Sequence, residues 1–132
     1  MIINHFGIVV ADIEESTSYY CKNFDFIADK KIFVDKIQKV RIRFLHPSKQ
    51  NFMIELLEPL GLDSPVSNFL KKGGGLNHIC YEVNNMEEAI DKYSSFGHRQ
   101  ISKPEPAVAF NNRKAVFFYT DKKEIVELIE AE

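Results

Sequence analysis

One stretch of this 132-residue chain is written twice. Residues 4–20 read NHFGIVVADIEESTSYY and residues 77–93 read NHICYEVNNMEEAIDKY. At an offset of 73, Asn4 meets Asn77, His5 meets His78, Val10 meets Val83, Asp12 meets Asn85 and Tyr20 meets Tyr93. A second pair, FMIELLE (52–58) and EIVELIE (124–130), follows at an offset of 72 and lays Glu55 on Glu127. A long period occurring twice is a tandem duplication, because a solenoid needs more and shorter repeats. Whatever one half folds into, the other must fold into as well.

The first copy opens with IINHFGIVV (2–10), rich in β-branched residues, which predicts a strand. Asp12 followed by Glu15 has the spacing of a capping box and predicts a helix over about 13–23, with Ile13, Tyr20 and Phe24 near one face. Residues 26–35 form a mixed, strand-like segment. VRIRFLH (40–46) alternates, with Val40, Ile42 and Phe44 on one face and Arg41 and Arg43 on the other. The turn HPSKQN then leads back into FMIELLE as an antiparallel hairpin.

In the connector, Ser64 before Pro65 predicts the start of a short helix, which Gly73 to Gly75 end. LNHICYEV repeats the first strand, Asn85 with Glu88 opens a second helix, and Gly97 caps it. KPEPAVAFNN reads as a loop, and RKAVFFYT and KEIVELIE as a terminal hairpin. Each half therefore reads β-α-β-β-β. The fold class is α+β: two tandem βαβββ modules related by a pseudo-twofold axis, because neither half has enough core alone. The boundaries are a first module at 1–60, a connector at 61–76 and a second module at 77–132, forming one structural domain.

Composition excludes several classes. Apolar residues make up 45% and charged residues 27%, ordinary for a globular protein. A net charge of −2 gives no electrostatic case for nucleic acid or an anionic membrane. No apolar run approaches the roughly 20 residues of a membrane span, and the N-terminus has no basic region or small-residue cleavage site. Cys21 and Cys80 form no disulfide framework and no CxxC pair, so a reduced, cytoplasmic setting is expected. Cys80 falls in a predicted strand and reads as a small buried thiol.

Four side chains stand out. Glu55 and Glu127 lie within apolar strand runs, and a carboxylate there either faces water or has a partner that offsets its desolvation. His5 and His78 recur in register with them. Two imidazoles and two carboxylates form a ligand set for a divalent ion, and four protein ligands leave two octahedral positions for water or substrate. Duplication alone could preserve such residues by descent, so the repeat nominates the site without proving it. His46 and His98 have no repeat mate and read as surface histidines. Arg41 and Arg43 either grip a phosphate or carboxylate or form a solvated outer face. Asn111, Asn112, Arg113 and Lys114 read as another polar edge, a candidate for contact with substrate.

The whole chain resembles the vicinal oxygen chelate superfamily, and ELLEPLGLDSPVSNFLKKGGGLNHICYEV (55–83) is similar to the methylmalonyl-CoA epimerases. AFNNRKAVFFYTDK resembles small proteins of the glyoxalase I branch. The resemblance implies paired βαβββ modules in a U-shaped mixed sheet around a metal-binding cleft. It implies metal ligands at His5, Glu55, His78 and Glu127, with Ni, Co, Zn or Mn as the ion. VRIRF lacks the second carboxylate that some epimerases carry at Ile42 or a neighbour.

Both branches remove a proton next to a carbonyl, with the developing enolate or enediolate stabilised by the metal. The resemblance therefore implies a metal-dependent isomerase or lyase, with Glu127 and Glu55 as catalytic base and acid. Its substrate would be a CoA thioester or a glutathione hemithioacetal, small molecules that bring CoA or glutathione with them. A homodimer is also implied. The competing readings are a non-catalytic binding or resistance protein of the same fold and an extradiol dioxygenase, whose two-His, one-Glu iron site the fourth ligand here would block.

Overall fold

The computed structural model describes all 132 residues and contains ten strands, three α-helices and one 3-10 turn. The first copy supplies β1 (Ile2–Val9), α1 (Ile13–Phe24), β2 (Phe26–Ala28), β3 (Phe33–Asp35), β4 (Val40–Pro47) and β5 (Met53–Pro59). After α2 (Ser67–Lys71), the second copy supplies β6 (Gly75–Val83), α3 (Met86–Ser95), β7 (Arg99–Gln100), β8 (Glu105–Ala107), β9 (Arg113–Tyr119) and β10 (Ile125–Glu130). The chain forms two compact units, His5–Asn77 on one hand and Met1–Asn4 with His78–Glu132 on the other.

In the first unit the strands run β2-β4-β5-β1, and β3 also pairs with β4. β1 is parallel to β5, with His5 beside Met53 and Gly7 beside Glu55. β4 is antiparallel to β5, with Phe44 opposite Glu55. The second unit repeats this arrangement as β6-β10-β9-β7, with β8 also on β9. There Cys80 lies beside Glu127, and Phe117 lies opposite it.

Strand alternation sends one face of each sheet toward its helix. In the first unit Ile54, Leu56 and Leu45 pack with Ile13 of α1, joined by Tyr20, Phe26 and Phe52. In the second, Val83, Val116, Phe118 and Leu128 pack with Met86 and Ala89 of α3. The opposite face carries His5 and Glu55 in one unit and His78 and Glu127 in the other, by the period of two.

The helix starts follow the caps read from sequence. The Asp12 side chain accepts hydrogen bonds from the Glu14 and Glu15 amides, each 3.0 Å long. Asn85 accepts from the Glu88 amide at 3.0 Å. Gly97, at φ +90°, ends α3, and the His98 amide donates back to the Tyr93 carbonyl.

Three expectations need correction. The second strand of each module is broken in two: β2 pairs with the 45–47 end of β4 and β3 with its 40–42 end, separated by the polar run Asp29-Lys30-Lys31. KPEPAVAFNN is not a plain loop, since it holds β8 and a 3-10 turn at Val108–Phe110. The connector helix begins at Ser67, later than Ser64: the Ser64 hydroxyl donates to the Gln38 carbonyl and accepts from the Val66 amide, and its carbonyl accepts from the Ser67 amide, so residues 64–67 form a turn that leads into the helix.

The three-glycine turn takes the positive φ values that glycine tolerates. At Gly74 the reason is also steric, because an added Cβ would stand 2.8 Å from the Val9 carbonyl oxygen. That close approach holds the connector against the end of β1, the strand that carries His5.

Candidate metal centre

The first half-site is built on two parallel strands. His5 on β1 is fully buried and Glu55 on β5 is 5% exposed. The His5 Nε2 and Glu55 Oε1 atoms lie 3.4 Å apart. The second half-site repeats this on β6 and β10. His78 and Glu127 are buried, and Nε2 of one lies 3.5 Å from Oε1 of the other.

These separations are informative. A charge-assisted hydrogen bond between such groups closes to about 2.7–2.9 Å. Two donor atoms bound about 2.1 Å from one ion at angles of 90 to 109° stand about 3.0–3.4 Å apart. Both pairs match the second geometry better. Buried imidazole and carboxylate are also the donor types that hold borderline divalent ions, and an ion offsets the cost of keeping a carboxylate among apolar side chains. The residues present therefore fit a divalent metal.

Each imidazole is also held by an aromatic ring. Phe44 meets His5 edge-on with ring centroids 6.0 Å apart. Phe117 meets His78 edge-on at 5.4 Å and 90°. Sequence reasoning missed this pair, although Phe44 and Phe117 stand at the same offset of 73 as the histidines. The offset falls to 72 between these rings and the glutamates, because the hairpin from Phe117 to Glu127 is one residue shorter than that from Phe44 to Glu55. Phe44 stays opposite Glu55 and Phe117 opposite Glu127, so the deletion leaves the register intact.

Other acidic groups on the same strand faces are committed elsewhere. Asp35 accepts from the Ile37 and Gln38 amides at 2.9 and 3.0 Å. Glu82 lies 3.7 Å from the Arg113 guanidinium and Glu105 lies 3.6 Å from Lys103. Glu55 and Glu127 are thus the carboxylates beside the imidazoles.

Arg41 and Arg43 stand on the opposite face of β4 from Phe44, toward α1. Arg41 pairs with Glu58 at 3.0 Å, and Arg43 donates to the Asp29 carbonyl at 2.7 Å and reaches Glu14 at 3.5 Å. The face that carries Ile42 and Phe44 is the one shared with Glu55. Asn111 and Asn112 form a left-handed turn, and Arg113 donates to the Phe110 and Glu130 carbonyls, fastening that turn to β10.

His46 is part-exposed and lies 2.9 Å from Asp29. His98 is no plain surface residue: its side chain is 22% exposed and packs edge-on against Tyr93 at 5.9 Å.

A duplicated βαβ scaffold with one buried His–Glu pair per copy defines a class, and the comparisons agree with it. The glyoxalase/bleomycin resistance protein/dioxygenase superfamily profile matches residues 4–117, and the chain belongs to that superfamily. Within it, the chain is 32% identical over 120 residues to the ethylmalonyl-CoA/methylmalonyl-CoA epimerase of Cereibacter sphaeroides, covering 89% of this chain and 87% of that protein. It is 34% identical to the mitochondrial methylmalonyl-CoA epimerase of Dictyostelium discoideum, over 89% of this chain and 69% of that one. The crystal structure of methylmalonyl-CoA epimerase from Mycobacterium tuberculosis has the same fold, with a TM-score of 0.87 at 23% identity over 98% of this chain and 87% of that one. No helix is long and apolar enough to cross a membrane.

Proposed function

We propose that the chain is an epimerase of the methylmalonyl-CoA type, inverting a carbon next to a thioester carbonyl, and that His5, Glu55, His78 and Glu127 together hold one divalent ion. The observation that carries this reading is the pair of matched half-sites, each a buried imidazole 3.4–3.5 Å from a buried carboxylate and braced by a phenyl ring. Epimerase relatives at 32 and 34% identity favour a CoA thioester over a glutathione hemithioacetal as substrate.

A divalent ion bound there supplies positive charge for the carbonyl oxygen as the neighbouring carbon gives up its proton. The chain's own residues move that proton. Glu127 directs Oε1 at His78, and its second oxygen, Oε2, takes the proton from one face of the substrate carbon. Glu55, the matching carboxylate of the other copy, returns a proton to the opposite face. His5 and His78 would hold the ion through their ring nitrogens, and Phe44 and Phe117 restrict their ring rotation. The buried apolar side chains on the same strand faces, Ile42, Leu57 and Ile129 among them, exclude water that would compete for the proton.

The test is a paired assay on the purified protein. Turnover of methylmalonyl-CoA, followed by exchange of its α-proton with solvent deuterium, is the expected result. Conversion of the methylglyoxal–glutathione hemithioacetal with no action on the thioester would make the chain a lactoylglutathione lyase instead. Inactivity on both, with metal bound, would point to a binding module. A homodimer, which the resemblance implies, is checked by light scattering on the same sample.

A further inference from the structure

The two half-sites agree at His, Glu and Phe, but they differ at one position beside the carboxylate. In the first copy the register partner of Glu55 is Gly7. At the same offset of 73, the register partner of Glu127 is Cys80. Cys80 follows His78 by two residues on β6, so the two project from the same face. It is fully buried, yet it is absent from the helix-facing core formed by Val83, Met86, Val116, Phe118 and Leu128. A buried cysteine ordinarily fills space among apolar side chains. This one stands on the face of the imidazole and the carboxylate.

Its sulfur lies within 4.8 Å of a Glu127 carboxylate oxygen. Sulfur binds zinc-like ions at about 2.3 Å and carboxylate oxygen at about 2.1 Å, so two such donors on opposite sides of one ion stand about 4.4 Å apart. Within the second copy Glu127 therefore stands close to two further donors, the His78 imidazole at 3.5 Å and the Cys80 sulfur, while the first copy has a glycine where Cys80 stands.

We propose that Cys80 is a soft donor to the metal centre and that it biases the centre toward zinc, cobalt or nickel and away from manganese or magnesium. Thiolate favours the softer ions, while carboxylate and imidazole alone accept manganese as readily. When sulfur binds, the thiol proton is replaced by the metal bond and passes to the buffer. The inference rests on the metal-centre reading of the four His and Glu side chains and adds a fifth residue to it.

The test strips the full-length protein of metal and reloads it with cobalt(II). The expected spectrum has a sulfur-to-cobalt charge-transfer band in the near ultraviolet beside the visible d–d bands. Cys80→Ser and Cys80→Ala should lose that band, retain one equivalent of cobalt, and shift zinc-against-manganese competition toward manganese by about tenfold. Cys21→Ser, which removes the only other cysteine, should keep the band, and circular dichroism confirms that each variant is folded. Cobalt bound without a sulfur band, or a band and a selectivity unchanged in Cys80→Ser, would overturn the role of Cys80 and leave the metal centre standing. Failure of the native protein to bind cobalt, zinc or manganese would overturn both.

Discussion

Replacing Glu55 and Glu127 by glutamine, one at a time, separates metal binding from proton transfer. Each substitution keeps the shape of the side chain and removes its charge. The two sites are nearly equivalent: 5% and 4% exposed, and 3.4 and 3.5 Å from their imidazoles. Loss of either charge should therefore weaken metal affinity by a similar factor. Whatever difference in turnover remains at saturating metal reports the chemistry.

Removing a general base costs about 10²–10⁴-fold in rate, or roughly 3–5 kcal/mol at 1.36 kcal/mol per factor of ten. Each variant is given methylmalonyl-CoA of a single configuration in deuterium oxide with excess metal. A one-sided loss is expected. Glu127→Gln should stop α-proton exchange from one epimer and Glu55→Gln from the other, while both abolish epimerisation. Metal content measured alongside separates an empty site from a loaded, inactive one. Turnover within tenfold of the native rate in either variant would refute the assignment. So would equal loss of exchange from both epimers in Glu127→Gln with Glu55→Gln unaffected, which would leave Glu127 as a single base serving both faces.

Three further outcomes follow from the same structure. Chelation should lower thermal stability, because an ion at 100 times its dissociation constant adds about 2.7 kcal/mol; a melting shift on the order of 10 °C is expected for a chain of this length, and no shift would argue against a buried centre. Gly74→Ala should cost about 2–4 kcal/mol, combining a positive-φ penalty with the 2.8 Å approach to the Val9 carbonyl, read from the midpoint of urea denaturation. Burial, and after it the neighbours Tyr81 and Tyr19, raises the Tyr93 and Tyr20 hydroxyls above the ordinary tyrosine value; their neutral forms contribute stability that is fully present below about pH 10 and is lost as pH rises through the higher folded values, so urea midpoints should fall on the alkaline side, less steeply in Tyr93→Phe.

The sequence was most legible where a residue does a local job. Asp12 and Asn85 announce helix starts because capping is decided within three residues, and both side chains accept those bonds. The pairing of His5 with Glu55 and of His78 with Glu127 was legible because polar residues rarely recur in apolar strands without a reason. The choice of strand face was not. VRIRF alternates the same way whichever side meets the helix, and only the packing of Leu45 and Ile54 against Ile13 sends Arg43 to Glu14. The break between β2 and β3 was hidden too, because both pieces pair with one long neighbour and neither has enough residues to show a period.

Phe44 and Phe117 show a different blindness. Apolar residues recur in a duplicated chain simply because cores recur, so their repetition carried no weight beside that of the histidines. In the structure they oppose the two glutamates and meet the two imidazoles edge-on, which makes them part of each half-site. The copies then diverge where chemistry can differ without disturbing this frame. Gly7 and Cys80 flank equivalent glutamates, and Val9 and Val40 stand where the second copy has Glu82 and Arg113, 3.7 Å apart. The shared positions are those that the proposed metal centre uses, and the divergent ones make the two half-sites chemically unlike. Inverting a single carbon takes one proton acceptor and one proton donor; on the reading proposed above, Glu127 and Glu55 would fill those two roles, and their unlike neighbours would let each half-site contact a different part of an asymmetric substrate.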